Sequence, residues 1–243
     1  MAQLVKAASY SKKPPKPFNT AYIAGYELLD DADYGEMADI ATRLLGLELL
    51  FDSEEPHDVL LFAGGTDINP AMYGEKPLPT TQKSDMLRDG REIYHWQVGQ
   101  TRIDVPLNIG VCRGAQFLNV MAGGKLWQHV DGHHGAHAVW HNNMAHSGIT
   151  SDHHQMMIVP ENGKEKKIRH SILAYASGLG DRSKIRMSQG AIPRGRDTTG
   201  NPECIWYPDV RNLCVQWHPG WDLDGPSGKL FKTIVKDVLA SEG

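Results

Sequence analysis

The chain has 243 residues, 40% of them apolar, and a formal net charge of −4 at neutral pH, enough for one large α/β domain or two small ones with a sizeable core. With a pI near 6.3 there is no cationic footprint for nucleic acid or an anionic membrane, and neither partner is expected. Cys112, Cys204 and Cys214 are too few and too scattered for a disulfide framework, and neither a signal-peptide core nor an apolar run of about 18 residues occurs. The composition reads as a soluble protein of the reducing cytoplasm.

Residues 1–18 include Lys12, Lys13, Pro14, Pro15, Lys16 and Pro17, and such closely spaced prolines exclude both helix and central strand. They read as an N-terminal arm, with a single domain over 19–243. Residues 19–25 suggest a first strand. Residues 34–46 carry Met37, Ile40, Ala41, Leu44 and Leu45 at helical spacing and end on Gly46, a C-terminal cap. Residues 47–51 and 59–62 read as strands, although the link between them is shorter than the dozen or so residues of an ordinary parallel crossover.

The second of these strands runs into Gly64-Gly65-Thr66-Asp67-Ile68-Asn69-Pro70. Consecutive glycines let backbone N–H groups face a site with no side chain in the way, as an oxyanion hole requires; the same pair also suits a plain tight turn. Residues 85–102 form an amphipathic helix whose Arg88, Asp89, Arg91 and Glu92 read as a solvated face or local ion pairs.

Residues 106–111 form an apolar strand, and residues 113–122 a helix stopped by Gly123-Gly124. Between them Gly110-x-Cys112-x-Gly114 has the spacing of a nucleophile elbow, in which small residues two before and two after the nucleophile let the chain reverse sharply. A thiol there sits at a helix N-terminus, where free N–H groups and the dipole favour an anion. A buried structural cysteine between two turn glycines has the same local sequence.

Eight of the twelve histidines fall between His129 and His154: His129, His133, His134, His137, His141, His146, His153 and His154. Imidazole suits transition metals, but the spacings match no zinc pattern, and the adjacent pairs point to opposite sides of an extended segment. No metal site and no cofactor are expected. Short strand-like pieces then alternate with turns over 168–215, with a loop over 190–202. A strand over 211–217 delivers His218-Pro219, and an amphipathic helix over 228–240 closes the chain. A cysteine nucleophile needs a base that also acts as an acid, and His218 stands at a strand end, although spacing alone leaves any of the histidines open.

The blocks Leu61-Phe62-Ala63-Gly64-Gly65-Thr66-Asp67-Ile68-Asn69-Pro70-Ala71-Met72-Tyr73-Gly74, Arg88-Asp89, Gly110-Val111-Cys112-Arg113-Gly114-Ala115-Gln116-Phe117-Leu118, Asp152-His153-His154-Gln155 and Val215-Gln216-Trp217-His218-Pro219 resemble the class I glutamine amidotransferase-like superfamily. Within it they are most similar to the gamma-glutamyl-gamma-aminobutyrate hydrolases. The resemblance implies an α/β, flavodoxin-like three-layer sandwich with a mostly parallel central sheet and an added antiparallel portion. It also implies a Cys-His-Glu triad working through a thioester. Carried onto this sequence, Cys112 is the nucleophile, His218 the base and then acid, and the backbone N–H groups of Gly65 and Arg113 the oxyanion hole. Gly64, Gln116, His153, His154 and Gln155 match positions lining the glutamyl pocket.

One departure bears on chemistry. The family reads His-Pro-Glu where this chain has His218-Pro219-Gly220. Asp222 is the expected replacement acid, with Asp224 behind it; if neither reaches, a Cys-His dyad remains. The function implied is hydrolysis of a small-molecule gamma-glutamyl amide. A glutaminase subunit feeding ammonia to a synthetase is the second reading, and a catalytically silent binding relative the third. The chain is expected to act alone, as a homodimer or with such a synthetase.

Overall fold

The computed structural model describes residues 18–130, 133–160, 168–176 and 201–242. Three strands are buried along their whole length: β3 (Val59–Phe62), β4 (Leu107–Val111) and β11 (Asn212–Val215). A continuous buried run is what a parallel strand covered on both faces requires. They form the middle of a nine-stranded sheet whose spatial order is β2-β1-β3-β4-β11-β10-β9-β6-β7. Here β1 is Thr20–Ile23, β2 Glu48–Leu50, β6 His134–His141, β7 Met144–Asp152, β9 Ser171–Ala176 and β10 Asn201–Tyr207.

From β2 to β11 every neighbouring pair is parallel, and from β11 to β7 every pair is antiparallel. The antiparallel extension was expected, but its hairpin was not read from the sequence. Asn142 and Asn143 join β6 to β7 with φ of 49° and 60°, the left-handed pair that a two-residue hairpin turn needs. The short link from β2 to β3 carries no helix. The two strands flank β1 on either side, and the link crosses the β1 face, where His57 stacks on Tyr22 with ring centroids 5.5 Å apart.

Side chains alternating along the central strands feed two cores, as the period of two demands. Val59, Leu61, Leu107, Ile109, Val111, Leu213 and Val215 pack with Met37, Ile40, Phe231 and Ile234, which come from α1 (Asp31–Asp39), its π-helical continuation and α4 (Pro226–Ser241). On the opposite face Leu60, Phe62 and Cys214 pack with Ala115, Phe117 and Leu118 of α3 (Arg113–Met121), flanked by Ile93 and Trp96 of α2 (Met86–Thr101). Helices on both faces of the sheet make the expected three-layer α/β sandwich. A separate two-stranded sheet pairs β5 (Lys125–Trp127) with β8 (Met156–Ile158).

The helix read over 34–46 begins three residues earlier, because Asp30 caps it by accepting from the Asp33 N–H. The expected N-terminal arm lies outside the described residues apart from Phe18, as does the expected loop before Asn201. Among the described residues no helix is long and apolar enough to cross a membrane.

Candidate active site

The C-terminal ends of β3, β4 and β11 point to one edge of the sheet, and three segments of interest leave it there. After β4, Cys112 takes φ 51°, ψ −108°, a conformation that non-glycine residues occupy only when their surroundings hold them there. The flanking glycines are steric necessities. A Cβ on Gly110 would strike the Gly114 carbonyl, and one on Gly114 would strike the Phe62 carbonyl. The Gly-x-Cys-x-Gly spacing therefore folds as an elbow. Cys112 Sγ lies 3.6 Å from the Asp152 carbonyl oxygen.

His218 follows β11 and is 5% exposed. Its backbone N–H donates to the Thr150 carbonyl at 3.0 Å, and its ring is stacked on Trp221 with centroids 3.9 Å apart and planes 10° apart. The ring stands beside Cys112, close enough for the thiol to raise its pKa, and Nδ1 lies 2.8 Å from Glu36 Oε2.

The carboxylate on the imidazole thus belongs to Glu36, 182 residues upstream on α1, and not to Asp222. The Asp222 carboxylate packs against Gly225, and Asp224 is solvent-exposed. Gly220 explains the exchange. A Cβ there would stand 2.5 Å from Glu36 Cγ, and the Gly220 N–H instead donates to Glu36 Oε1 at 3.2 Å. Glu36 fills the room that a side chain at position 220 would take. Sequence reasoning missed it because α1 is rich in acids and Glu36 sits beside its apolar stripe. The one available signal was the absence of a side chain at 220, which calls for a carboxylate from elsewhere.

Burial alone would lower the His218 pKa, but hydrogen bonds and charge from Cys112 and Glu36 outweigh it and push it up to about 10. A folded pKa raised above the ordinary 6.5 stabilises the fold fully below about pH 6.5 and ceases to as pH rises through about 10. Thermal unfolding from pH 6 to 10 should therefore show the stability gap between wild type and Glu36→Gln closing toward the alkaline end. A pH-independent gap would show that the Glu36 contact does not act through the imidazolium.

The glycine loop after β3 is held from behind by buried arginines. Arg88 Nη2 donates to the Ala63 carbonyl at 3.0 Å and the Gly64 carbonyl at 2.5 Å, and its Nε pairs with Glu92 at 3.0 Å. Arg113 Nε donates to the Thr66 carbonyl at 3.1 Å, and its guanidinium pairs with Asp89 and Glu92. Arg88, Asp89 and Glu92 are 4%, 4% and 0% exposed. Of the solvated face or local ion pairs expected on α2, Arg88 and Glu92 do form a local pair, but a buried one that clamps the loop, while Arg91 on the outside pairs with Glu27. A Cβ on Gly64 would come within 3.4 Å of His218 Cε1 and 3.8 Å of Cys112 Cβ, so the loop stands directly against the Cys-His pair.

The remaining expected residues gather nearby. Gln116 Nε2 donates to the Gln155 carbonyl at 3.2 Å, and His153 Nδ1 lies 2.8 Å from the same oxygen. His154 Nε2 lies 2.8 Å from Asp67 Oδ1 on the glycine loop, and the Gln155 side-chain amide is buried without a hydrogen-bond partner among the described residues. His153 and His154 face opposite ways, as extended neighbours do.

The profile of the Peptidase C26 family matches residues 55–220. A Mycobacterium tuberculosis protein with a glutamine amidotransferase name is 30% identical over 185 residues, covering 72% of this chain; the chain spans about half, 54%, of that relative. The glutamine amidotransferase-like protein YvdE of Lactococcus lactis is 28% identical over 191 residues, covering 75% of each chain. Among solved structures, a glutamine amidotransferase from Thermotoga maritima superposes with a TM-score of 0.50 at 12% identity, covering 94% of this chain and 86% of that one. With the profile spanning most of the chain and the sandwich shared, this protein belongs to the Peptidase C26 family, within the class I glutamine amidotransferase-like superfamily.

Proposed function

We propose that this protein hydrolyses a gamma-glutamyl amide through a thioester on Cys112, with His218 and Glu36 as the other members of the triad. The observation that carries this reading is one imidazole that stands beside the elbow cysteine and lies 2.8 Å from a buried carboxylate. Cys112 Sγ attacks the gamma-carbonyl, and its electron pair forms the C–S bond while the oxygen gains charge. The backbone N–H groups of Gly65 and Arg113 receive that oxyanion. The imidazolium of His218 passes its proton to the leaving amine as the C–N bond breaks. His218, now neutral, takes a proton from water, the hydroxide displaces the thiolate, and gamma-glutamate leaves as the free acid.

Gly64, Gln116, His153, His154 and Gln155 form the proposed glutamyl side of the pocket. A reducing, cytoplasmic setting suits an enzyme whose three cysteines are all unpaired. The reading as a silent relative rested on the glycine at position 220, and the contact from Glu36 removes that ground.

A glutamine-like diazoketone tests the reading. Intact mass should show a single adduct, and peptide mapping should put it on Cys112. Absence of any adduct at neutral pH would overturn the enzymatic reading, whereas glutamine hydrolysis seen only with a co-purified synthetase would favour an ammonia-donating subunit.

A further inference from the structure

β10 carries Glu203 into the interior as a fully buried carboxylate, 0% exposed. Three imidazoles converge on it. His133 Nδ1 lies 3.0 Å from Oε1, while His137 Nε2 and His153 Nε2 stand 3.3 Å and 3.5 Å from the same oxygen without hydrogen-bond alignment. The catalytic scheme uses neither Glu203 nor His133.

The tautomer of His153 is fixed by its other nitrogen. Nδ1 lies 2.8 Å from the Gln155 carbonyl, which only accepts, so Nδ1 carries a proton and Nε2 is the nitrogen turned toward Glu203. Across 3.5 Å in a buried site, a bare Nε2 and a carboxylate oxygen repel unless a proton or a metal cation stands between them. An N–H fixed on a backbone carbonyl, with the opposite nitrogen left bare, is the arrangement that metal-binding histidines adopt. Among the described residues, Nε2 of His133, Nε2 of His153 and Oε2 of Glu203 are all buried without a hydrogen-bond partner. Each such group costs about 1–3 kcal/mol if nothing satisfies it.

We propose that His133, His153 and Glu203 form a metal site for a divalent first-row transition ion, with zinc the best fit to two imidazoles and a carboxylate. One ligand atom from each residue lies within 4.8 Å of the other two. Tetrahedral bonds of about 2.0–2.1 Å place neighbouring ligands roughly 3.3 Å apart, close to the 3.5 Å already found between Glu203 Oε1 and His153 Nε2. His137 stands beside the same carboxylate. A dication balances a buried negative charge that burial would otherwise penalise.

The ligands come from the residue before β6, the residue after β7, and β10. Their sequence separations of 20 and 50 follow from sheet pairing, so no compact motif announces them; the backbone joins two of them directly, with the His153 N–H donating to the His133 carbonyl at 3.2 Å. His153 is flanked by Asp152, whose carbonyl meets Cys112 Sγ, and by His154, which pairs with Asp67 of the glycine loop. The ion would fasten this wall of the active site to the antiparallel half of the sheet. Its role is structural, and no step of hydrolysis runs through it.

The test uses untagged full-length protein, treated with a chelator, dialysed and titrated with Co2+ and then Zn2+. One equivalent of Co2+ should give the intense visible bands of a low-coordinate nitrogen-oxygen site, Zn2+ should displace it, and the thermal midpoint should rise with added Zn2+. His153→Ala and His133→Asn should each abolish the stoichiometric bands, and the more conservative His133→Asn serves where His153→Ala fails to fold. A wild-type protein that retains no stoichiometric metal and shows no thermal shift would overturn the site, as would undiminished binding in both variants. Metal content and spectra are read without substrate, so this outcome is independent of whether the chain is a hydrolase.

Discussion

Under the proposed mechanism, replacing Glu36 with Gln is expected to cut kcat/KM for gamma-glutamyl amide hydrolysis by on the order of a hundredfold, within the range that positioned acid–base groups supply. The amide keeps the size of the side chain and a hydrogen bond to Nδ1, but removes the negative charge that favours imidazolium. The loss should fall short of the roughly ten-thousandfold that the same change costs a serine triad, because a thiolate is a competent nucleophile without help. The limb of the pH–rate profile set by His218 as proton donor should move down from about 10 in the variant, a change that a purely structural role for Glu36 would not produce. Gly220→Ala should reproduce much of the defect by pushing on Glu36 Cγ. The double variant Glu36→Ala/Gly220→Glu places the acid back on the loop where the family carries it, and should recover part of the lost rate. A Glu36→Gln enzyme with wild-type kcat and an unmoved alkaline limb would show that Cys112 and His218 act as a dyad.

Different parts of this molecule were legible in the sequence for different physical reasons. The elbow was readable because its constraint is local: two close backbone approaches fix glycine at 110 and 114 around Cys112. The parallel centre was readable from unbroken apolar runs, since strands buried on both faces leave no polar alternation. Glu36 was not, because a carboxylate on a helix looks the same whether it meets water or an imidazole brought in by packing across the sheet edge. The inward face of α2 was hidden for a related reason. Arg88, Asp89 and Glu92 carry the residue types of a solvated stripe, and only the buried partners Arg113, Ala63 and Gly64, with the half-buried Asp33, reveal that they neutralise one another inside. Glu203 lies in a strand whose register with β9 shifts on either side of Cys204, which blurs the simple alternation that would have marked an inward charge.

Arg88→Met should destabilise the protein by about 3–5 kcal/mol, the cost of removing one partner of a buried ion pair. Against a total stability of roughly 5–15 kcal/mol that is a large loss, and urea denaturation measures it. The catalytic effect has a separate origin. In a planar trans peptide the C=O and the following N–H point opposite ways. By holding the Gly64 carbonyl at 2.5 Å, Arg88 turns the Gly65 N–H away from itself, which under the proposed mechanism aims it at the oxyanion over Cys112. Arg88→Lys separates the two effects. A lysine keeps the charge beside Glu92 and Asp33, so much of the stability should return. A single ammonium lacks the planar fork that spans Glu92 and two carbonyls at once, so the loop is free to rotate and kcat should stay down by on the order of 10²-fold, the cost of one oxyanion donor. KM should change far less, because the ground-state carbonyl makes little use of that N–H. Recovery of kcat in step with stability would assign Arg88 to folding alone and leave the orientation of Gly65 to the loop itself.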